Sequence, residues 1–315
     1  MSDSLYGFVD YRNFPYALGD TLTLLMNMEV LRQLEGKQDI VQLILTYPGS
    51  PGSRLQPFVN RNNFRNFLIE LFPAFLFSPN TSSLNFTESR PFFHYRLVQS
   101  TLRRDAVWPG ILAQARGSMD FISHRRINKF FLKNGHLPRL AAPERLRLRA
   151  REHLRTLFAG KSLVTVNLRN SKSSYFFSAP HREANILEWE KFFRLTALSH
   201  PEVMFLVVGS FSEWSRSLLD FPNVAISRRL GLGLADELSL LLQSRLFMGS
   251  SSGFSALATF STVPYVITNF EPGAAKYVGL GVGERRYPFA EQNQVILWGQ
   301  EQASELHREL REAVK

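Results

Sequence analysis

The chain has 315 residues, 44% of them hydrophobic and 13% aromatic, which excludes a disordered chain and allows one large domain or two of ordinary size. It has no cysteine, which excludes disulfides and thiolate zinc sites. Its net charge is +10, and it shows neither an apolar run of about 18 residues to span a membrane nor the basic start and apolar core of a secretory signal. We therefore expect a cytoplasmic protein.

The first residues predict a strand, a loop, a helix and a second strand. Residues 5–9 are apolar, as in a buried strand, and residues 21–34 carry apolar side chains at helical spacing, with Asp20 at the expected N-cap. Residues 40–45 predict the second strand. This opening is typical of a doubly wound α/β domain, in which ligands bind beyond the carboxyl ends of the strands. Asp10 stands at such an end.

The next part of the chain is rich in aromatic residues. Residues 63–77 carry apolar side chains at helical spacing, which predicts a core-facing helix interrupted near Pro73. If that face were exposed, it would instead form a patch for a membrane or an acceptor. We expect residues 80–88 to form a polar loop and residues 92–98 to form a strand.

Nearly all of the excess positive charge lies in the middle of the chain. Residues 125–161 contain eleven lysines and arginines against two glutamates, a net charge of +9. Such a segment is either a solvated helix face or a surface for an anionic membrane or an anionic acceptor. Nucleic acid is disfavoured as a partner, because no recognised nucleic-acid-binding motif accompanies the charge.

The second half predicts another doubly wound sheet, because short apolar runs alternate with amphipathic helices. The predicted strands are residues 163–168, 203–208, 223–226, 246–248 and 265–268. No G-x-G-x-x-G follows the first of them, which disfavours a dinucleotide site of the dehydrogenase type. The domain boundary is expected near 141–143 or at Gly160. We assign residues 1–150 to an N-terminal acceptor-binding domain and residues 151–315 to a C-terminal donor-binding domain.

A run of small residues, Gly-Ser-Ser-Ser-Gly, occupies positions 249–253 between a predicted strand and an apolar run. A helix that begins there offers unpaired N–H groups and a positive dipole end, and serine hydroxyls add donors, which suits a phosphate or diphosphate. The alternative is a tight turn in which a serine simply caps the helix.

The start of the chain resembles the heptosyltransferases. The resemblance rests on a strand, a loop that ends in Leu18-Gly19-Asp20, and an apolar helix after it. It implies that Asp20 is the catalytic base. A carboxylate that is tied up in capping a helix makes a poor base, so Asp10 is a competing candidate.

The second half resembles the nucleotide-sugar domain of GT-B glycosyltransferases. Its first strand ends in Asn167-Leu168-Arg169, where fucosyltransferase-like members place an arginine that faces the donor phosphates. Residues 182–186 resemble the R-x-A-N-I element of a little-characterised bacterial family, and residues 247–269 resemble its Gly-Ser-x-Ser-Gly loop followed by Pro-x-x-x-x-Asn. The resemblance implies two Rossmann-like domains that face each other across a cleft.

The sequence thus predicts a glycosyltransferase that moves a sugar from a nucleotide-sugar donor to a hydroxyl of a glycan, lipid-linked or protein acceptor, in bacterial surface-glycan or glycoconjugate synthesis. We expect inverting transfer without metal or cofactor, because no Asp-x-Asp follows a strand and fixed cations and a helix dipole can stabilise the leaving diphosphate. Residues 125–161 are expected to bring the enzyme to the inner membrane face. The expected donor-binding residues are Asn167, Arg169, Arg182, Gly209, Ser250, Ser251, Ser252, Gly253, Ser255, Asn269 and Glu271.

Two other functions fit the same residues. A nucleotide-sugar epimerase of the same fold would turn over its donor without any acceptor. A non-catalytic binding protein would use residues 125–161 to hold nucleic acid or another anionic polymer, and its binding would weaken steeply with salt.

Overall fold

The computed structural model describes residues 3–50, 52–112, 122–169, 183–210 and 214–314. The chain divides into two compact units, Met1–Ala141 (unit 1) and Ala142–Lys315 (unit 2). The predicted boundary after residue 150 falls inside a helix of unit 2, Glu144–Leu157. Among the helices of the described ranges, none is both long and apolar enough to cross a membrane.

Unit 1 is built on a sheet of four parallel strands within its described residues. The strands are β1 (Ser4–Asp10), β2 (Asp39–Leu45), β3 (Thr81–Thr87) and β4 (Ala106–Trp108). Their order across the sheet is β3-β2-β1-β4. The chain therefore winds one way from β1 to β3 and then crosses back to β4. The carboxyl ends of β1 and β4 flank this reversal, which is where open α/β sheets bind ligands.

Helices cover the sheet of unit 1. They are α1 (Leu18–Leu34), α2 (Phe64–Leu71) with a 3₁₀ turn (Phe72–Phe77), α3 (Arg90–Leu102) and α4 (Arg125–Asn134). Helix α1 is buried over most of its length because it packs against the 3₁₀ turn and α4 as well as the strands. Helix α3 packs Phe93 and Leu97 against Phe8 and Leu45 of the sheet.

Two predictions for unit 1 were wrong. Residues 80–88, expected as a loop, contain β3, whose composition is polar because it lies at the edge of the sheet and is only partly buried. Residues 92–98, expected as a strand, lie in α3. That helix begins after Ser89, whose hydroxyl accepts a hydrogen bond from the Phe92 N–H at 3.4 Å, and Pro91 stands in its first turn.

Unit 2 alternates helices and parallel strands. Its elements are α5 (Glu144–Leu157), β5 (Ser162–Asn167), α6 (Ile186–Ser199), β6 (Val203–Val208), β7 (Val224–Ile226), α7 (Leu234–Leu241), β8 (Leu246–Ser250), α8 (Gly253–Thr259), β9 (Tyr265–Phe270), α9 (Pro272–Val278), β10 (Gln294–Trp298) and α10 (Ala303–Val314). All five predicted strands are confirmed, and β10 is an additional one.

The sheet of unit 2 has the order β10-β9-β8-β5-β6-β7. Its central strands are buried on both faces, and one face packs against an aromatic cluster from α6 and β6 that includes Trp189, Phe192, Phe193 and Phe205. The chain winds outward from β5 to β7 and then returns past β5 to β8. The reversal of winding in this unit therefore lies between β5 and β8.

Candidate active site

The carboxyl ends of β5 and β8 lie side by side at the reversal point of unit 2. Asn167 is paired with Gly249 in the sheet register. Gly249 has φ +148°, and a Cβ at this position would stand 2.3 Å from the Asn167 carbonyl oxygen. Only glycine fits there, because the clash is with backbone that cannot turn aside. The sequence therefore brings Arg169, two residues past Asn167, to the same strand ends as the serine loop.

The serine loop forms the end of β8 and the start of α8. Ser252 is the N-cap of α8: its hydroxyl accepts from the Ser255 N–H at 3.4 Å, and the Ser255 hydroxyl accepts from the Ser252 N–H at 2.8 Å. The capping interpretation is thus confirmed for these two serines. Ser250 differs, because it is fully buried and its hydroxyl has no hydrogen-bond partner among the described residues. A buried hydroxyl without a partner costs free energy that a bound group could recover.

Asn167 and Gly209 hold the strand ends in place. The Asn167 side-chain amide donates to the Val208 carbonyl at 3.0 Å, which ties β5 to β6. Gly209, with φ +125°, donates its N–H to the Glu237 carboxylate at 3.1 Å, and its carbonyl accepts from Arg228 at 3.0 Å. One N–H of the Asn167 amide is therefore used within the sheet, and its assignment to donor binding stays a prediction.

Glu237 is a buried carboxylate that the sequence did not identify as part of the site. It is fully buried near the start of α7 and accepts from Arg228 at 3.1 Å, from the Gly209 N–H and from the Ser227 hydroxyl. Its cation partner and these donors compensate the burial of its charge. No sequence motif links Gly209, Arg228 and Glu237, so their hydrogen-bond network becomes visible only in the folded structure.

The end of β9 is the third part of this sheet edge. Asn269 has φ +50°, donates to the Glu183 carbonyl at 2.9 Å, and keeps a buried side-chain oxygen with no partner among the described residues. The neighbouring Thr268 hydroxyl donates to buried Glu301 at 2.6 Å, and Glu301 also accepts from the Asn185 N–H. Glu271 occupies the N-cap position of α9, although its side chain makes no capping bond.

Arg169 begins the segment that returns to this edge. Its carbonyl accepts from the Ala184 N–H at 2.9 Å, so the two ends of the intervening segment lie together at the end of β5. Arg182, a predicted donor-binding residue, lies outside the described residues. The other predicted donor-binding residues all stand at the carboxyl edge of the sheet, at the ends of β9, β8, β5 and β6 in that order.

In unit 1, Asp10 does not offer an available carboxylate. Its side chain is 4% exposed and pairs with Arg90 through contacts of 2.8 and 3.3 Å, and it also accepts from the Arg12 N–H at 2.9 Å. Both oxygens of this carboxylate are therefore already engaged as hydrogen-bond acceptors within unit 1. Asp10 therefore suits a positioning role better than proton transfer.

Asp20 is not the N-cap, contrary to the sequence-based expectation. Helix α1 begins at Leu18 after Ala17, so Asp20 lies in its first turn, where a carboxylate is favoured by the dipole. It is half-buried, and its negative charge adds to the burial that raises the pKa of Tyr11 above its usual range. Asp20 thus lies close to Tyr11, one residue from the end of β1.

An open depression lies at the reversal point of unit 1. It is lined by the ends of β1 and β4, the loop after β1, and α1. The lining residues are Phe8, Val9, Asp10, Asn13, Phe14, Leu24 and Pro109. Mostly apolar walls with a few polar groups are typical of small-molecule sites. In the described part of the chain, no group of three or more His, Asp or Glu side chains is arranged to hold a metal ion.

No family model matches the chain, and no curated protein is similar to it. Solved structures do match over nearly the whole length. E. coli ADP-heptose heptosyltransferase II is 9% identical with a TM-score of 0.61, covering 100% of this chain and 98% of that one. E. coli heptosyltransferase WaaC, solved with ADP, is 11% identical with a TM-score of 0.55, covering 98% and 100%. A glycosyl transferase of family 9 from Veillonella parvula is 13% identical with a TM-score of 0.53, covering 99% and 90%.

The chain has the GT-B fold. The predicted class, α/β with two Rossmann-like units, is confirmed, and so is the resemblance to GT-B glycosyltransferases. Because the identities are low, this likeness concerns the fold, and the chemistry must be argued from the residues of this chain. The residues that sequence reasoning missed are charged ones that hold the strand ends: Arg90, Arg228, Glu237 and Glu301.

Proposed function

We propose that this protein is a glycosyltransferase that transfers a sugar from a nucleotide-sugar donor to an acceptor hydroxyl, with inversion and without a metal ion. The observation that carries the proposal is the adjacency of β5 and β8 at the reversal point of unit 2, with Asn167 paired to Gly249. This pairing brings Arg169, the buried hydroxyl of Ser250 and the start of α8 to one sheet edge, in a fold shared with heptosyltransferases.

The donor diphosphate fits that edge chemically. Arg169 supplies a permanently charged guanidinium whose forked N–H groups match phosphate oxygens. The Ser250 hydroxyl and the N–H groups of residues 251 and 253 add donors, and the unpaired Asn269 oxygen accepts from a ribose or base. Because these groups are fixed before the reaction, they stabilise the negative charge that develops on the leaving diphosphate.

The base comes from unit 1, and we assign it to Asp20. The acceptor oxygen attacks the anomeric carbon, and the bond from that carbon to the diphosphate oxygen breaks. The bonding electrons leave with the nucleoside diphosphate, and the acceptor proton moves to the Asp20 carboxylate. One displacement of this kind inverts the anomeric carbon. The depression beside Asp10 is the proposed acceptor site.

The proposed setting is surface-glycan or glycoconjugate synthesis at the inner membrane face. The ion pairs favour one helix of the basic segment as the membrane-facing surface. On α5, three of the five arginines, Arg147, Arg149 and Arg155, pair with carboxylates. Helix α4 contains no acidic residue, and its Lys129 and Lys133 are exposed.

Sedimentation with anionic vesicles should recover the protein, and neutral vesicles should not. Lys129→Gln with Lys133→Gln should reduce the recovery.

A thermal-shift panel tests the donor site. UDP, GDP, CMP, ADP and dTDP sugars are added to the wild type, to Arg169→Ala and to Arg151→Ala, a control arginine that is exposed on α5. One nucleotide class should raise the melting temperature of the wild type and of Arg151→Ala, and should lose its effect in Arg169→Ala. An equal response in all three proteins would remove Arg169 from the donor site.

Turnover tests the base and separates the alternatives. Asp20→Asn should keep nucleotide binding and lose transfer, since it changes only the proton acceptor. Full transfer by Asp20→Asn would exclude Asp20 as the base. Turnover of donor without acceptor would indicate an epimerase. Salt-sensitive binding of RNA or DNA, with no response to any nucleotide sugar, would indicate the non-catalytic alternative.

A further inference from the structure

Three arginines converge at the carboxyl edge of the unit 1 sheet, each from the loop after a different strand. Arg12 follows β1, Arg54 lies in the long connection after β2, and Arg90 begins α3 after β3. Both Arg12 and Arg90 border the point where a Cβ of Gly49 would stand: Arg12 Cδ and Nε lie 3.5 and 3.6 Å from it, and an Arg90 Nη lies 3.9 Å away. Gly49, with φ +85°, leaves the space between the two guanidinium groups open.

In the part of the chain that the structure describes, one of these three cations has a carboxylate partner. Arg90 is matched by Asp10, which accepts both of its contacts and the Arg12 backbone N–H. Among the described residues, neither Arg12 nor Arg54 forms an ion pair, and the one side-chain bond of Arg54 goes to the neutral Asn13 amide oxygen at 3.3 Å. Two of the three arginines at this edge therefore keep a positive charge that no ion pair within the described residues matches, which favours an anion.

The two arginines without an ion pair adjoin residues that line the depression. Arg12 stands in the chain between Asp10 and Asn13, both of which line it. The Arg54 side chain contacts Asn13, and the Arg54 N–H donates to the Arg12 carbonyl at 3.0 Å, which holds the two loops together. The walls of the depression are mostly apolar, and the two arginines lie next to its polar residues.

We infer that the acceptor carries an anionic group, a phosphate or a carboxylate, that Arg12 and Arg54 bind at the rim of the unit 1 depression. Guanidinium groups match both anions through paired N–H donors, and a carboxylate or phosphate on the acceptor would fix its orientation beside Asp20. The arginines contact the substrate without taking part in proton transfer. This inference rests on the proposed function, since it treats the depression as the acceptor site.

The test uses glucose 6-phosphate and glucuronate as anionic probes, with glucose as the neutral control. All are added to Arg169→Ala, so that the donor edge of unit 2 does not capture the phosphate. Thermal shifts are measured for three proteins: Arg169→Ala alone, Arg169→Ala with Arg12→Gln and Arg54→Gln, and Arg169→Ala with Arg61→Gln. The last is the control, because Arg61 is an exposed arginine of unit 1. Glutamine keeps a long polar side chain, so these variants should fold.

The expected result is a saturable rise in melting temperature with both anions and none with glucose. The double variant should bind the anions at least about tenfold more weakly, since it loses two charge-assisted contacts, and Arg61→Gln should bind them normally. An equal effect of glucose, or anion binding that survives in the double variant, would overturn the inference.

Nucleotide sugars separate this inference from the proposed function. They should still stabilise a protein that carries Arg12→Gln and Arg54→Gln with Arg169 intact. If they do and the anions bind nowhere on unit 1, the acceptor inference fails alone. If the anions bind at Arg12 and no nucleotide sugar binds the wild type, the glycosyltransferase proposal fails. The anion site would then be real, but the inference that it binds the acceptor would be refuted as well.

Discussion

Gly249→Ala tests the close approach of β5 and β8. The proposed donor site at the carboxyl ends of these strands depends on that approach. The new Cβ would stand 2.3 Å from the Asn167 carbonyl oxygen, and Gly249 has φ +148°. The backbone strain costs about 1–3 kcal/mol and the overpacking a similar amount, so we expect a loss in the free energy of unfolding of about 4 kcal/mol. Urea unfolding followed by tryptophan fluorescence measures it, since Trp189 lies in the core of unit 2.

Gly160→Ala is the matched control for that experiment. Gly160 has φ +70°, and no heavy atom lies within 4 Å of the position of its Cβ. Alanine should therefore cost only the left-handed strain, about 1–2 kcal/mol. If Gly249→Ala costs no more than Gly160→Ala at an unchanged urea dependence, the backbones of β5 and β8 do not approach as closely as the structure shows, and the reasoning about the donor edge fails.

Two further predictions concern unit 1. Arg90→Ala should lower the free energy of unfolding by about 3 kcal/mol, because it leaves the 4%-exposed Asp10 side chain charged and unmatched. Adding Asp10→Asn should recover part of this loss in a double-mutant cycle, and additive effects would contradict the ion pair. Burial lowers the pKa of His124 to about 3, so below its unfolded pKa of about 6.5 only the unfolded state gains the proton. His124 should therefore lower the free energy of unfolding by about 1.4 kcal/mol per pH unit as the pH falls from 6 towards 4. If His124→Gln shows the same pH dependence as the wild type, His124 is not its cause.

The strands of unit 2 were predictable because burial leaves a direct mark on sequence. Strands buried on both faces read as continuous apolar runs, and 203–208 was predicted with the bounds that β6 has. Edge strand β3 carries no such mark, since its sequence Thr-Ser-Ser-Leu-Asn-Phe-Thr is polar and only partly buried. Helix α3 carried a signal that was passed over: Ser89 as a cap and Pro91 in the first turn.

In the candidate site, too, some residues could be predicted from the sequence and others could not. Arg169 and the serine loop were predictable because each follows a recognisable strand, and strand ends meet in a parallel sheet. The partners of Asp10 and Thr268 were not, because Arg90 lies 80 residues away and Glu301 lies 33 residues away. No local periodicity encodes such pairs. Consequently the sequence could place Asp10 at a strand end but could not show that an arginine already occupied its carboxylate.

The two units share one topology around their first strands but carry different side chains there. Each sheet reverses its winding beside its first strand, so each brings the loop after that strand next to the loop after a distant one. In unit 1 the residues at the reversal form an apolar depression beside a carboxylate and unmatched arginines. In unit 2 they form a buried hydroxyl, a helix start and an arginine. A displacement reaction needs both a base with a held acceptor and a charge-stabilised leaving group. The substitutions that test Arg12 and Arg169 should therefore impair different substrates, and equal losses for both would contradict this division.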